Sequence, residues 1–124
     1  MITVSFARIR PGQEARLRAW LTELASRQDE ARQSLAQEGT RHEQLYVLPG
    51  ADGAVLVYVM EAEDVQQAYS AYGASQLPID VEHRAVLAQV LAVTGGTLLC
   101  WPRRERMAWI SSFTPSLRPS RLVW

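Results

Sequence analysis

Residues 53–91 read GAVLVYVMEAEDVQQAYSAYGASQLPIDVEHRAVLAQVL, and this stretch decides the fold. Ala54 to Met60 is a nearly continuous apolar run, as expected of a central strand covered on both faces. An acidic corner follows, and then Val65, Ala68, Tyr69 and Tyr72 recur at i, i+3, i+4 and i+7, the spacing of a short helix packed on a core. A Ser/Gly/Pro break separates it from a further helix. Asp80 stands where an N-cap is expected, with Val81, Glu82 and His83 in the first turn. His83, Leu87, Val90 and Leu91 then line one stripe of that helix.

Working outward toward the N-terminus, Ile2 to Ile9 alternates as a strand, with Val4 and Phe6 on one face and Thr3, Ser5 and Ala7 on the other. Pro11-Gly12 breaks it. The spacing of Leu17, Trp20, Leu21, Leu24, Ala31 and Leu35 predicts a single long helix from near Gln13, closed by Gly39. Arg41 to Leu48 alternates again: His42, Gln44 and Tyr46 share one face, Leu45 and Val47 the other. Pro49-Gly50-Ala51-Asp52-Gly53 is a hairpin loop.

Toward the C-terminus, Gly95-Gly96 ends the last helix, and Thr97 to Trp101 reads as a fourth strand closed by Pro102. Arg103 to Arg106 form a charged turn, Met107 to Phe113 suit a further strand, and Thr114 to Trp124 read as an extended arm. The tail concentrates Trp101, Trp109, Trp124 and arginine, a composition suited to packing on a partner subunit.

The order β-α-β-β-α-(α)-β is that of the ferredoxin-like split βαβ plan, an α+β class with an antiparallel sheet and helices on one face. Residues 1–95 are read as this unit, and residues 96–124 as its final strand and arm. The strands are apolar on both faces, so the second face needs cover. Two such sheets packed face to face make a symmetric dimer.

The chain has 124 residues, 48% of them hydrophobic, and a formal net charge of zero. That is one foldable domain with no electrostatic case for nucleic acid or an anionic membrane. All 13 basic residues are arginine, and asparagine is absent as well as lysine. No Schiff-base lysine or catalytic asparagine is therefore available. The single cysteine, Cys100, excludes an internal disulfide and a multi-cysteine metal site. The N-terminus lacks the features of a secretion signal, and no apolar run approaches a membrane span, so the expected location is cytoplasmic.

The runs ARIRPGQEARLRAW (7–20), YVMEAEDVQQAY (58–69) and PIDVEHRAVL (78–87) resemble an uncharacterised bacterial family of the dimeric α+β barrel superfamily, over residues 2 to 92. The resemblance implies a fold and a homodimer. Better-known proteins of this fold include cofactor-independent quinone-forming monooxygenases, haem-degrading monooxygenases and sugar mutarotases. The monooxygenases typically use an asparagine, which this chain lacks, and the mutarotases place a histidine on the first helix, where this chain has none.

His83 is the first candidate for chemistry, as a proton-transfer or anchoring group, because an imidazole near its ordinary pKa serves either purpose at neutral pH. Asp80 or Glu82 would orient it. His42, Tyr46 and Tyr58 are candidate hydrogen-bonding wall residues, with Tyr58 expected on the rung beside Tyr46. Tyr69 and Tyr72, at helical spacing, read as core. His42 and His83 lie in no local ligand motif, and no metal or cofactor is expected. The resulting expectation is a dimeric domain that binds a small ligand or serves as an interaction module. A cofactor-independent enzyme acting on a phenol, quinone or sugar is the alternative.

Overall fold

A computed structural model describes residues 1–92, 99–101 and 120–123. Its elements are β1 (Ile2–Arg8), α1 (Glu14–Ser26), α2 (Gln28–Glu38), β2 (Thr40–Leu48), β3 (Val55–Ala62), α3 (Val65–Ala74), α4 (Pro78–Val90), β4 (Leu99–Trp101) and β5 (Ser120–Val123). The sheet has five strands in the order β4-β1-β3-β2-β5, with every neighbouring pair antiparallel. The first four strands give the ferredoxin-like order expected from the sequence, with β3 inserted between β1 and β2. Ser120–Val123, within the stretch read as an arm, adds a strand beside β2. The charged turn 103–106, the strand expected over Met107–Phe113 and most of the arm lie outside the described residues.

Register fixes which residues meet the helices. Leu45 pairs with Tyr58, and Tyr58 with Ser5; Glu43 pairs with Met60, and Met60 with Thr3. These residues share the face that packs on Leu17, Trp20, Leu21, Leu24, Ala31, Ile79, Val86 and Val90 of the helices, together with Val47 and Leu56. Partners on the opposite face are Phe6, Val57 and Tyr46 on one rung, and Val4, Val59 and Gln44 on the next. A β-bulge between Thr40 and His42 in β2 inserts Arg41, which is exposed. The extra residue lets Thr40 and Glu43, three apart, both face the helices.

The predicted single helix is instead two. Arg27 has φ −105° and ψ 46°, outside the helical region, and its N–H bonds Leu24 O in a tightened last turn. The apolar stripe keeps its phase across the break, since Leu17 to Leu24 and Ala31 to Leu35 are all buried in the same layer. The Arg27 guanidinium spans the junction: it bonds Glu23 and Glu30 and reaches Glu82 on α4 at 2.8 Å. Gly39 ends α2 at φ 72°, the left-handed cap that glycine adopts without a Cβ penalty.

The start of α4 also differs from expectation. Asp80 is not the N-cap: the helix begins at Pro78, whose fixed φ suits the first helical position. Asp80 lies in the first turn and is buried, 4% exposed, with its side chain directed into the protein. The upstream hydroxyl of Ser75 accepts the Leu77 N–H at 3.2 Å.

Candidate functional site

Between the sheet and the four helices lies a cavity of about 240 Å³. Its floor comes from β1, β2 and β3, through Ser5, Ala7, Glu43, Leu45, Leu56, Tyr58 and Met60. Its roof comes from Ser34 and Glu38 of α2, Tyr69 and Tyr72 of α3, and Asp80 and His83 of α4, with apolar side chains between them. Among the described residues, no arginine lines it. Carboxyl groups in such a space lose water without gaining a cation, which favours their neutral form.

Glu43 carries the clearest effect. Burial pushes its pKa up to about 8, partly offset by the hydrogen bond donated by Tyr58, and the nearby Glu38 and Asp80 push the same way as burial. The Tyr58 hydroxyl bonds one Glu43 oxygen; the other oxygen has no hydrogen-bond partner among the described residues. Burial and the adjacent Glu43 raise the Tyr58 phenol well above its ordinary value. The pair therefore holds a proton through neutral pH.

Glu38 and Asp80 flank the Ser34 hydroxyl, whose oxygen lies 2.9 Å from Glu38 Oε1 and 2.5 Å from Asp80 Oδ1. A hydroxyl has one hydrogen to give. For both contacts to be hydrogen bonds, a second proton must come from a carboxyl. Burial raises the Glu38 pKa, opposed by the hydrogen bonds it accepts from Ser34 and Thr40. Asp80 also accepts from the Ser75 hydroxyl, and Thr40 bonds the far oxygen of Glu38 at 3.3 Å. These two acids are held on all sides by hydroxyls.

His83 is held differently. The Trp20 indole N–H donates to His83 Nδ1 at 2.8 Å, and the two rings stack with centroids 6.1 Å apart. An indole nitrogen can only donate, so Nδ1 must be the bare nitrogen and Nε2 carries the hydrogen. Burial lowers the His83 pKa to about 4, with Asp80 opposing and Arg84 reinforcing the shift. The ring is thus a neutral N–H donor, and Nε2 has no partner among the described residues. Its only basic nitrogen is occupied, which suits anchoring rather than proton abstraction.

Tyr72 meets His83 edge-on at 5.9 Å. Its hydroxyl is buried and has no hydrogen-bond partner among the described residues. Arg84 fixes the outer side of α3, lying over the Tyr72 ring and donating to the Tyr72 and Ser75 carbonyls.

The structure divides the sequence candidates. Tyr58, Asp80 and His83 line the cavity. His42 and Tyr46 lie on the opposite face of the sheet, where they bond Gln44, so the expected rung shared by Tyr46 and Tyr58 does not exist. Glu82 does not orient His83: it is exposed and pairs with Arg27, and the residue that holds the imidazole is Trp20. Glu43, Glu38, Ser34 and Tyr72 enter the site without having been candidates. For Glu43 the signal was present, since the alternation of β2 puts it in phase with Leu45 and Val47. Tyr72, read as core, carries a polar atom that the core leaves unsatisfied. Among the described residues, no three His, Cys, Asp or Glu side chains group as metal ligands, and no helix is long and apolar enough to cross a membrane.

The profile of a family of unknown function, DUF6176, matches residues 2–100. The chain belongs to this family. The DUF6176 chain also resembles two solved structures. That of Rv0793 from Mycobacterium tuberculosis is 20% identical with a TM-score of 0.49, over 82% of this chain and 93% of that one. A protein described as a "putative antibiotic biosynthesis monooxygenase" from Nitrosomonas europaea is 16% identical with a TM-score of 0.49, over 83% of this chain and 90% of that one. A search of functionally curated proteins finds no significant match.

Proposed function

We propose that this DUF6176 protein binds a small, largely apolar molecule with one polar group in the cavity between sheet and helices. The observation that carries this reading is the Tyr72 hydroxyl, buried at the cavity wall without a hydrogen-bond partner among the described residues. Buried hydroxyls are nearly always hydrogen-bonded, so an orphan beside an open space marks where a ligand or ordered water belongs. The His83 Nε2–H, also without a partner among the described residues, is a second anchor. Size sets the ligand class: a dry cavity of roughly 150 Å³ accommodates benzene, so about 240 Å³ suits a substituted single ring. The carboxyls, and a lining without arginine among the described residues, disfavour anions.

Homodimerisation belongs to the same reading. The sheet face away from the helices presents Ile2, Val4, Phe6, Val55 and Val59, all partly exposed. A second copy packed on that face would bury it. Sedimentation equilibrium is expected to give a dimer that Val4→Asp weakens; a monomeric wild type overturns this part.

Native mass spectrometry of the purified protein, alone and with small phenols and aryl ketones, tests the ligand site. One bound molecule per chain is expected, with affinity falling about tenfold in Tyr72→Phe through loss of one hydrogen bond. Failure to bind any of these probes, or equal binding by Tyr72→Phe, refutes the assignment.

A further inference from the structure

The cavity pairs two kinds of group on opposite walls. On the sheet side, Glu43 is tethered through one oxygen to Tyr58, and the other has no partner among the described residues. On the helix side are two hydrogen-bond donors without a partner among the described residues, the Tyr72 hydroxyl and His83 Nε2–H. A base facing a pair of neutral donors across an apolar space is the arrangement that proton abstraction next to a carbonyl requires. Resting on the ligand-site reading above, we propose that Glu43 is a general base that removes and returns a proton at a carbon adjacent to a ketone, while Tyr72 and His83 hold the carbonyl oxygen.

The step balances without a co-reactant. The Glu43 carboxylate takes the α-proton, and the C–H electron pair becomes the C=C bond. The carbonyl π pair moves to oxygen, where the two donors stabilise the enolate. Return of the proton to the same carbon gives exchange with solvent; its return to the γ-carbon of a β,γ-unsaturated ketone gives the conjugated isomer. Each route regenerates the carboxylate.

The neighbours of Glu43 fit this role. Tyr58 on β3, Glu38 on α2 and Asp80 on α4 all act on its ionisation, Tyr72 and His83 line the same cavity from the helix side, and no arginine lines it among the described residues. Glu38 and Asp80 are enclosed by Ser34, Ser75 and Thr40, so among the described residues Glu43 is the cavity acid with an unbonded oxygen. Its raised pKa, about 8, makes the ionised form a stronger base than an ordinary carboxylate. A carboxylate base working with a neutral imidazole or phenol donor is sufficient for enolisation.

The test uses phenylacetone in D2O with the intact protein. Proton NMR follows loss of the benzylic CH2 signal, and ligand line broadening reports binding in the same sample. Exchange is expected to exceed the buffer rate by roughly 10²-fold and to rise with pH through about 8, where Glu43 ionises. Glu43→Gln keeps an oxygen to accept from Tyr58 and is expected to bind the ketone but return exchange to the buffer rate. Tyr72→Phe is expected to slow exchange about tenfold or more, and it serves as a second variant should Glu43→Gln fold poorly. Binding without exchange, or equal exchange by wild type and Glu43→Gln, overturns the proposal and leaves the ligand site standing. Absence of ketone binding overturns both.

Discussion

Glu43 and His83 set opposite pH limits on stability, and Glu43→Gln separates them. The Glu43 carboxyl titrates at about 8 in the folded chain against an ordinary value of 4.5. Between those values the unfolded chain has released a proton that the folded chain keeps, so stability falls as pH rises. His83 titrates at about 4 when folded against 6.5 unfolded. Here the unfolded chain binds the extra proton, so stability is complete above pH 6.5 and is lost as pH falls toward 4. From pH 4.5 to 6.5 the two slopes oppose, giving a plateau. Above it only the Glu43 slope remains, and at roughly 1.4 kcal/mol per pH unit per proton the loss between about pH 6.5 and 9 is roughly 2 kcal/mol.

Urea denaturation across this range measures the dome. Wild type is expected to lose its stability on the alkaline side, whereas Glu43→Gln, which cannot ionise but still accepts from Tyr58, is expected to stay nearly level. Glu38, also raised by burial, is common to both proteins. Comparing the two cancels every other titrating group. Equal alkaline slopes in wild type and variant would refute the assignment of a buried, neutral Glu43 and remove the base from the cavity.

Three further changes probe the supporting contacts. Trp20→Phe removes the indole donor to His83 Nδ1; a cost of about 2 kcal/mol and a rise in the imidazole pKa followed by NMR are expected, and an unchanged titration argues against the fixed tautomer. Ser34→Ala removes the hydroxyl between Glu38 and Asp80 and is expected to cost about 2 kcal/mol in chemical denaturation; a neutral result means that the hydroxyl does not bridge the two acids. Arg27→Ala breaks three ion pairs whose carboxylates are about half exposed and uncovers the Trp20 ring. A loss of about 1 kcal/mol that shrinks in high salt is expected from thermal melts, whereas a loss several times larger would make the junction a principal strut of the fold.

How far the sequence carried these conclusions depended on what periodicity can register. Alternation gave β1, β2 and β3, and element order gave the ferredoxin-like plan, because both follow from which residues must be buried. The break at Arg27 left the stripe undisturbed: Leu17 and Ala31 are nearly four turns apart, about 14.4 residues of ideal helix, so burial is the same for one helix or two. The legible sign was the acidic pair Asp29 and Glu30 after it, which marks a helix start. Tyr58 was assigned to the wrong face because the hairpin loop sets the register. Pairing Leu48 with Val55 puts Tyr46 opposite Val57 and Tyr58 opposite Leu45. Asp80 was read as a cap because an acid before a helix usually is one, while Pro78 starts this helix earlier.

The residues that sequence reasoning passed over share a physical character. Glu43 sits among apolar neighbours on the helix-facing side of β2, Tyr72 sits on the inner stripe of α3, and Glu38 is 5% exposed at the end of α2. Each occupies a position that the local pattern reserves for an apolar side chain, and each is polar at a cost to stability. A methionine or leucine would fit Glu43's place on the pattern and remove the alkaline penalty derived above. Polar groups that break the fold's own rules, converge on one cavity and leave donors and an acceptor oxygen unbonded are where local and global requirements conflict, and such conflicts gather at functional sites. The bulge at Arg41 belongs to the same arrangement: if the same residues ran as a regular strand, Thr40, three residues before Glu43, would turn to the opposite face, and Glu38 would lose one of the two hydroxyls that hold it.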